Sequence, residues 1–132
     1  MKPLRRKPAD ARRKPTDAEL AILRVLWTRG PSTVREVAES LGRTAAYTTV
    51  LKLLQIMTEK RLVVRDESSR THVYEAAYTE DQTQRHLVSD LMTRAFDGSA
   101  AKLVLQALAA GKATPEELDE IRKLLDTHRG TR

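Results

Sequence analysis

Residues 44–61, TAAYTTVLKLLQIMTEKR, decide how this chain is read. Val50, Leu51, Leu53, Leu54 and Met57 recur at the spacing of one helical face, while Tyr47, Thr48, Lys52, Gln55 and Lys60 supply a polar face at the same period. A solvated helix surface is usually a mixture of Glu and Lys. Here the first turns carry short hydroxyls and a tyrosine instead, a face suited to touching a partner. An ordinary surface helix has the same periodicity, so the flanking segments have to separate the two readings.

Upstream, Thr16 and Glu19 form a capping box ahead of Leu20, Ile22, Leu23, Leu26 and Trp27, and this apolar stripe stops at Gly30-Pro31. Ser32-Thr33 leading into Glu36 opens a second, shorter helix, with Val34, Val37, Ala38 and Leu41 facing inward and Gly42 ending it. Thr44 is the expected N-cap of the third helix. Short helices joined by tight turns make a trihelical unit whose second and third members form a helix-turn-helix. A plain three-helix bundle would show the same pattern.

Downstream, residues 62–65 (LVVR) and 71–76 (THVYEA) are rich in β-branched and aromatic residues and flank the polar turn 66–70 (DESSR). A hairpin directly after the third helix predicts a winged helix, in which helix three enters the major groove and the hairpin tip lies over the neighbouring backbone or minor groove. Arg65 and Arg70 then sit on or beside that tip.

Charge is distributed to match. The formal net charge of +6 lies entirely in residues 1–15, where Lys2, Arg5, Arg6, Lys7, Arg12, Arg13 and Lys14 oppose Asp10 alone. That segment, with Pro3, Pro8 and Pro15 and almost no apolar residue, predicts a disordered basic arm attracted to a polyanion, with Arg5, Arg6, Arg12 and Arg13 as its candidate DNA contacts; a merely solubilising tail has the same composition. At 132 residues, 40% apolar and 32% charged, the chain reads as a soluble globular protein, expected in the cytoplasm. No apolar run approaches the ~20 residues of a membrane span, and the start lacks the apolar core of a signal peptide. The absence of cysteine excludes disulfides, thiolate metal sites and cysteine nucleophiles.

Residues 79–132 have another character, with eight basic against nine acidic residues. Acids at Glu80 and Asp81 suit a helix start, and Leu87, Val88, Leu91, Met92, Ala95 and Phe96 make a broad apolar face. Residues 100–110 (AAKLVLQALAA) are apolar nearly all round, and Thr114-Pro115-Glu116-Glu117 starts a last helix carrying Leu118, Ile121, Leu124 and Leu125. A unit this small cannot bury so much apolar surface alone. The remedy is a second copy, paired through Leu87, Leu91, Met92, Phe96, Leu103, Val104, Leu108, Leu118, Ile121 and Leu125. A two-fold dimer carries two reading heads, which predicts an inverted-repeat site. The expected organisation is a basic arm (1–15), a winged-helix DNA-binding domain (16–78) and a three-helix dimerisation domain (79–132), mostly α with a small β-wing.

The residues themselves resemble the penicillinase and methicillin-resistance repressor family of bacterial winged-helix regulators. The resemblance rests on Thr16-Asp17-Ala18-Glu19 leading to Val25-Leu26-Trp27, on Thr33-Val34-Arg35-Glu36-Val37-Ala38, on Ala46-Tyr47-Thr48-Thr49-Val50-Leu51 and on the wing Arg70-Thr71-His72-Val73-Tyr74. Phe96-Asp97-Gly98-Ser99, Leu103-Val104-Leu105 and Glu116-Glu117-Leu118 resemble the family's dimerisation domain. The resemblance implies a homodimeric repressor on double-stranded promoter DNA at TACA/TGTA-like inverted repeats, controlling β-lactamase or cell-wall genes and released by an upstream signal, in some members through a sensor protease. No cofactor is implied. Matched position by position, Ala46, Tyr47, Thr48, Thr49 and Lys52 would meet the groove, Arg43 and Arg70 would hold phosphates, and Trp27 would pack in the head's core; Thr44 at the helix start is a further DNA-binding candidate.

The chain departs from the family at several points. Ile56 stands where members often have a basic residue, Arg61 where they have glycine, and Ser69 where the wing usually has glycine. Gln106-Ala107 aligns with the Asn-Phe bond that is cleaved in some members. The cysteine motif of copper-responsive relatives is absent. A reading from a different class keeps the winged helix as a protein-interaction module and leaves non-specific nucleic-acid binding to the basic arm. Catalysis is disfavoured: His86, Ser89 and Asp90 are close in sequence but come with no oxyanion hole or pocket, and His72, His86 and His128 lack ligand spacing.

Overall fold

The computed structural model describes residues 14–42 and 46–130. Three helices, α1 (Asp17–Arg29), α2 (Val34–Leu41) and α3 (Tyr47–Glu59), precede an antiparallel hairpin of β1 (Val63–Asp66) and β2 (Val73–Ala76); α4 (Glu80–Ala95), α5 (Ala100–Ala109) and α6 (Pro115–Gly130) follow. Helices with a small two-stranded wing in this order make a winged helix.

Local chemistry starts the first two helices. The Thr16 N–H donates to Glu19 Oε1 at 2.9 Å and the Glu19 N–H donates to Thr16 Oγ1 at 3.2 Å. Thr33 and Glu36 repeat the arrangement at 2.9 and 3.1 Å. Each box satisfies donors that a helix start leaves open, an effect of about 1 kcal/mol per cap. α3 starts differently from its sequence expectation. Its N-cap is Ala46, whose extended backbone (φ −81°, ψ 148°) begins the helix two residues beyond Thr44 and offers no side-chain acceptor.

α3 ends in a Schellman turn. The Leu62 N–H donates to the Met57 carbonyl at 2.9 Å, the Arg61 N–H donates to the Thr58 carbonyl at 3.1 Å, and Arg61 has φ 67°. This is the left-handed position that glycine takes without penalty, so the arginine costs about 1 kcal/mol there.

Ile22, Leu23 and Leu26 of α1, Val34 and Val37 of α2, Val50, Leu54 and Met57 of α3, and Leu62, Val63 and Tyr74 of the wing form one core. Trp27 packs against it and donates its indole N–H to the Tyr78 carbonyl at 2.9 Å. The wing pairs Val63 with Ala76, Val64 with Glu75, Arg65 with Tyr74 and Asp66 with Val73. On its other side Tyr74 exchanges two backbone hydrogen bonds with Ser32, at 2.8 and 2.9 Å, so β2 lies between β1 and the α1–α2 turn.

Lys60 corrects a detail of the sequence expectation. It does not join the polar face of α3; its Nζ donates to Glu19 Oε1 and Oε2 at 2.8 and 3.0 Å. The Glu19 side chain is only 3% exposed, so this near-buried pair fastens the end of α3 to the start of α1.

The chain divides into two compact units, one through Val88 and one from Ser89, so the division falls within α4, beyond the change of character read at Thr79. In the second unit, α5 is capped by Ser99, whose Oγ accepts the Lys102 N–H at 3.1 Å, and α6 starts with a box between Thr114 and Glu117 at 3.0 Å in both directions. Among its described residues no apolar side chain is buried.

Candidate nucleic-acid interface

Because α3 buries Val50, Leu54 and Met57, helical periodicity turns Thr48, Lys52 and Gln55 to the opposite side, and all of these are exposed. Ala46, Tyr47 and Thr49 are exposed as well, Tyr47 to 51%. The first turn of α3 holds no acid, and among the described residues no side chain caps its first N–H groups. Such a start suits a polyanion on local electrostatics.

Among the described residues, concave surfaces lie on both sides of α3. On one side Thr48, Thr49, Lys52, Leu53 and Ile56 line a shallow hollow of about 330 Å³. On the other, a groove of about 560 Å³ lies between the first turn of α2 (Thr33 to Glu36), Tyr47 and Leu51 of α3, and the wing residues Arg70, Thr71, His72 and Tyr74. Arg35 and His72 are absent from the sequence candidates. Arg35 sits at the second position of α2 beside the capping-box Glu36 and is exposed; that placement is the signal that could have found it.

The wing arginines differ from each other. Arg65 is held: its Nε lies 2.6 Å from Glu67 Oε2 without the alignment of a hydrogen bond. A hydrogen bond that the guanidinium donates to the Tyr74 side chain, and then attraction to Glu67, raise its pKa above the ordinary value. Arg70, at the hairpin turn, is exposed and forms no ion pair among the described residues. The turn is ordered by Asp66, whose Oδ1 accepts the Ser68 N–H at 2.9 Å; that hydrogen bond holds the Asp66 carboxyl below its ordinary pKa. Ser69 donates its hydroxyl to the Thr71 carbonyl at 2.9 Å.

The structure thus brings Ala46, Tyr47, Thr48, Thr49 and Lys52 together on α3 with Arg70 on the wing, and ties Arg65 to its own strand pair. Arg43, Thr44 and the arm residues Arg5, Arg6, Arg12 and Arg13 lie outside the described residues. Of the dimerisation candidates, Leu91, Val104, Leu108, Leu118 and Leu125 are exposed, and Leu87, Met92, Phe96, Leu103 and Ile121 are half-buried. Gln106 and Ala107 lie exposed on α5. Among the described residues no group of three His, Cys, Asp or Glu could hold a metal ion, and no helix is long and apolar enough to cross a membrane.

The sequence pattern of the penicillinase repressor family matches residues 15–127, which takes in the head, the wing and most of the C-terminal helices. The chain belongs to the penicillinase repressor family. Within known proteins it is similar to the transcriptional regulator BlaI of two Mycobacterium tuberculosis strains, 33% identical over 112 residues that cover 83% of this chain and 80% of the relative. It is also similar to the penicillinase repressor of Bacillus licheniformis, 23% identical over 116 residues, covering 86% of this chain and 91% of the relative.

Proposed function

We propose that this chain is a transcriptional repressor that reads operator DNA with α3 and acts as a homodimer paired through its C-terminal helices. The observation that carries this reading is the exposed, acid-free first turn of α3, with Tyr47, Thr48, Thr49 and Lys52 on its open side. Threonine methyls match thymine methyls in the major groove, and hydroxyls and Lys52 match base edges or phosphates. Arg70 on the wing meets backbone outside the groove, and the basic segment holding Arg5, Arg6, Arg12 and Arg13 adds a minor-groove or backbone arm. The names borne by its relatives, a transcriptional regulator and a penicillinase repressor, favour the same role.

Dimerisation is supported by the apolar residues left exposed from Ser89 onward, Leu105 at 64% and Leu124 at 66% among them. A monomer would hold this surface against water; a second copy removes it. Residues 16–78 then serve as the reading head and 79–132 as the pairing domain. Two heads related by a two-fold axis require an inverted repeat, here TACA/TGTA-like, with half-sites about 34–36 Å or a multiple apart. β-Lactamase or cell-wall genes in the cytoplasm's DNA are the target class, and an upstream signal, through a sensor protease in some relatives of this kind, lifts repression.

A gel shift and footprint on the chain's own upstream region, at about 150 mM salt with excess competitor DNA, tests this. The expected result is a protected inverted repeat, with sequence preference lost in the Thr48→Ala, Thr49→Ala double variant. Diffuse binding that competitor removes, or unchanged preference in the double variant, overturns the reading and leaves nucleic-acid contact to the basic arm.

A further inference from the structure

The groove beside α3 holds two arginines from separate elements, Arg35 on α2 and Arg70 on the wing. Both are exposed, and neither forms an ion pair or side-chain hydrogen bond among the described residues. The acid in the same groove is already engaged. Glu36 Oε1 accepts the Thr33 N–H at 2.9 Å, and Oε2 lies 3.5 Å from Arg29 Nη2. The groove therefore keeps the charge of two guanidinium groups, and at Tyr47 it runs into the exposed first turn of α3.

We propose that Arg35 grips the phosphodiester backbone of the operator strand next to α3 from the α2 side, across the groove from the wing contact already assigned to Arg70. The proposal rests on the DNA reading above and adds to it the contact that sets the register of α3. Guanidinium forks match phosphate oxygens in shape as well as charge, and contacts of that kind position a protein on the duplex without reading its sequence. Charge complementarity and continuity with the polar start of α3 single out the DNA backbone as the occupant. An arginine at the second position of a short helix would otherwise be a solvated charge with no effect on binding.

The test measures binding of the full chain to its operator fragment and to an unrelated duplex, from about 50 to 200 mM salt, for the wild type, Arg35→Ala, Arg70→Ala and the double variant. Alanine keeps the helix propensity of α2, and unchanged melting temperature is checked for each variant. Each single substitution is expected to lower the slope of log affinity against log salt by about 0.9 per head, so that its deficit shrinks about threefold per head across that range, while the ratio of operator to unrelated duplex stays constant. Arg35→Lys keeps the slope and regains part of the affinity, because the charge remains and the fork is lost.

An Arg35→Ala variant with wild-type affinity and slope overturns the proposal. So does a loss that is equal at all salt concentrations and confined to the operator. If inorganic phosphate raises the wild-type melting temperature through Arg35 and Arg70 while the DNA slopes of the variants do not change, the groove is a small-anion site and the proposal fails. If the wild type shows no operator preference at all, the reading of α3 fails on its own. The slopes on unrelated duplex then still decide the groove: a reduced slope upholds it as a backbone seat and an unchanged slope overturns it.

Discussion

The head and the C-terminal helices handle apolar surface in opposite ways. In the head, Ile22, Val37, Val50, Leu54 and Met57 are completely enclosed and Tyr74 is 1% exposed, with contributions from α1, α2, α3 and the wing. From Ser89 onward, Leu91, Val104, Leu105, Leu118, Leu124 and Leu125 remain exposed within helices that are well capped by Thr79, Ser99 and Thr114. Capping and periodicity alone therefore make helices, but they do not make a core. The head closes on itself because a hairpin supplies the missing layer. The C-terminal unit has only helices among its described residues, and their apolar faces stay open.

The largest expected effect breaks the head. Tyr74 fills the core and pairs its backbone with both Arg65 and Ser32, so Tyr74→Ala should lower stability by about 3–5 kcal/mol in urea denaturation. A loss below about 1 kcal/mol would mean that the wing is an accessory to the core and not a layer of it. Next comes the other unit. Leu124→Lys with Leu125→Lys should convert a dimer into a monomer in sedimentation and weaken operator binding about 100-fold, because the second head no longer binds at raised effective concentration. A wild type that sediments as a monomer overturns the pairing and leaves the exposed C-terminal faces without that account.

Smaller changes sharpen the account of the head. Lys60→Met leaves Glu19 nearly buried without its ammonium partner and should cost about 2 kcal/mol, less than a fully buried pair because Lys60 is 30% exposed. Arg61→Gly should stabilise by about 1 kcal/mol by relieving the left-handed backbone at the end of α3. An unchanged melting curve would show that the Schellman turn carries no strain at Arg61. The smallest effect lies at the wing tip. Asp66 should titrate in NMR below the ordinary carboxylate range, because its ionised form accepts the Ser68 N–H. The turn's contribution is then present above the ordinary Asp pKa and lost as pH falls through the lowered one, and Asp66→Asn should remove that pH dependence.

Much of this was legible along the chain. Thr16/Glu19 and Thr33/Glu36 act over three residues, so the pattern of hydroxyl and acid is enough to mark α1 and α2. The period of Val50, Leu54 and Met57 marked the buried face of α3, and with it the exposed Thr48 and Lys52. Thr44 was misread because a hydroxyl before an apolar stripe is a good cap wherever the helix begins, and the extended Ala46 begins it later. Lys60 was misread for another reason. Its partner Glu19 is 41 residues away, and no local pattern reports a pairing of that span.

Composition and spacing in the sequence thus determined the elements and the uneven charge, since helix periods, caps and turn residues act between near neighbours, and the residue identities themselves carried the family. Only the tertiary structure decided what lies across from what. It set Ser32 against Tyr74 to anchor the wing, Lys60 against Glu19 to tie α3 to α1, and Arg35 in the same groove as Arg70. It also held Arg65 to its own hairpin and left Arg70 exposed. These are meetings of distant segments, created when apolar faces pack, and their energies depend on burial and distance that a linear pattern does not contain.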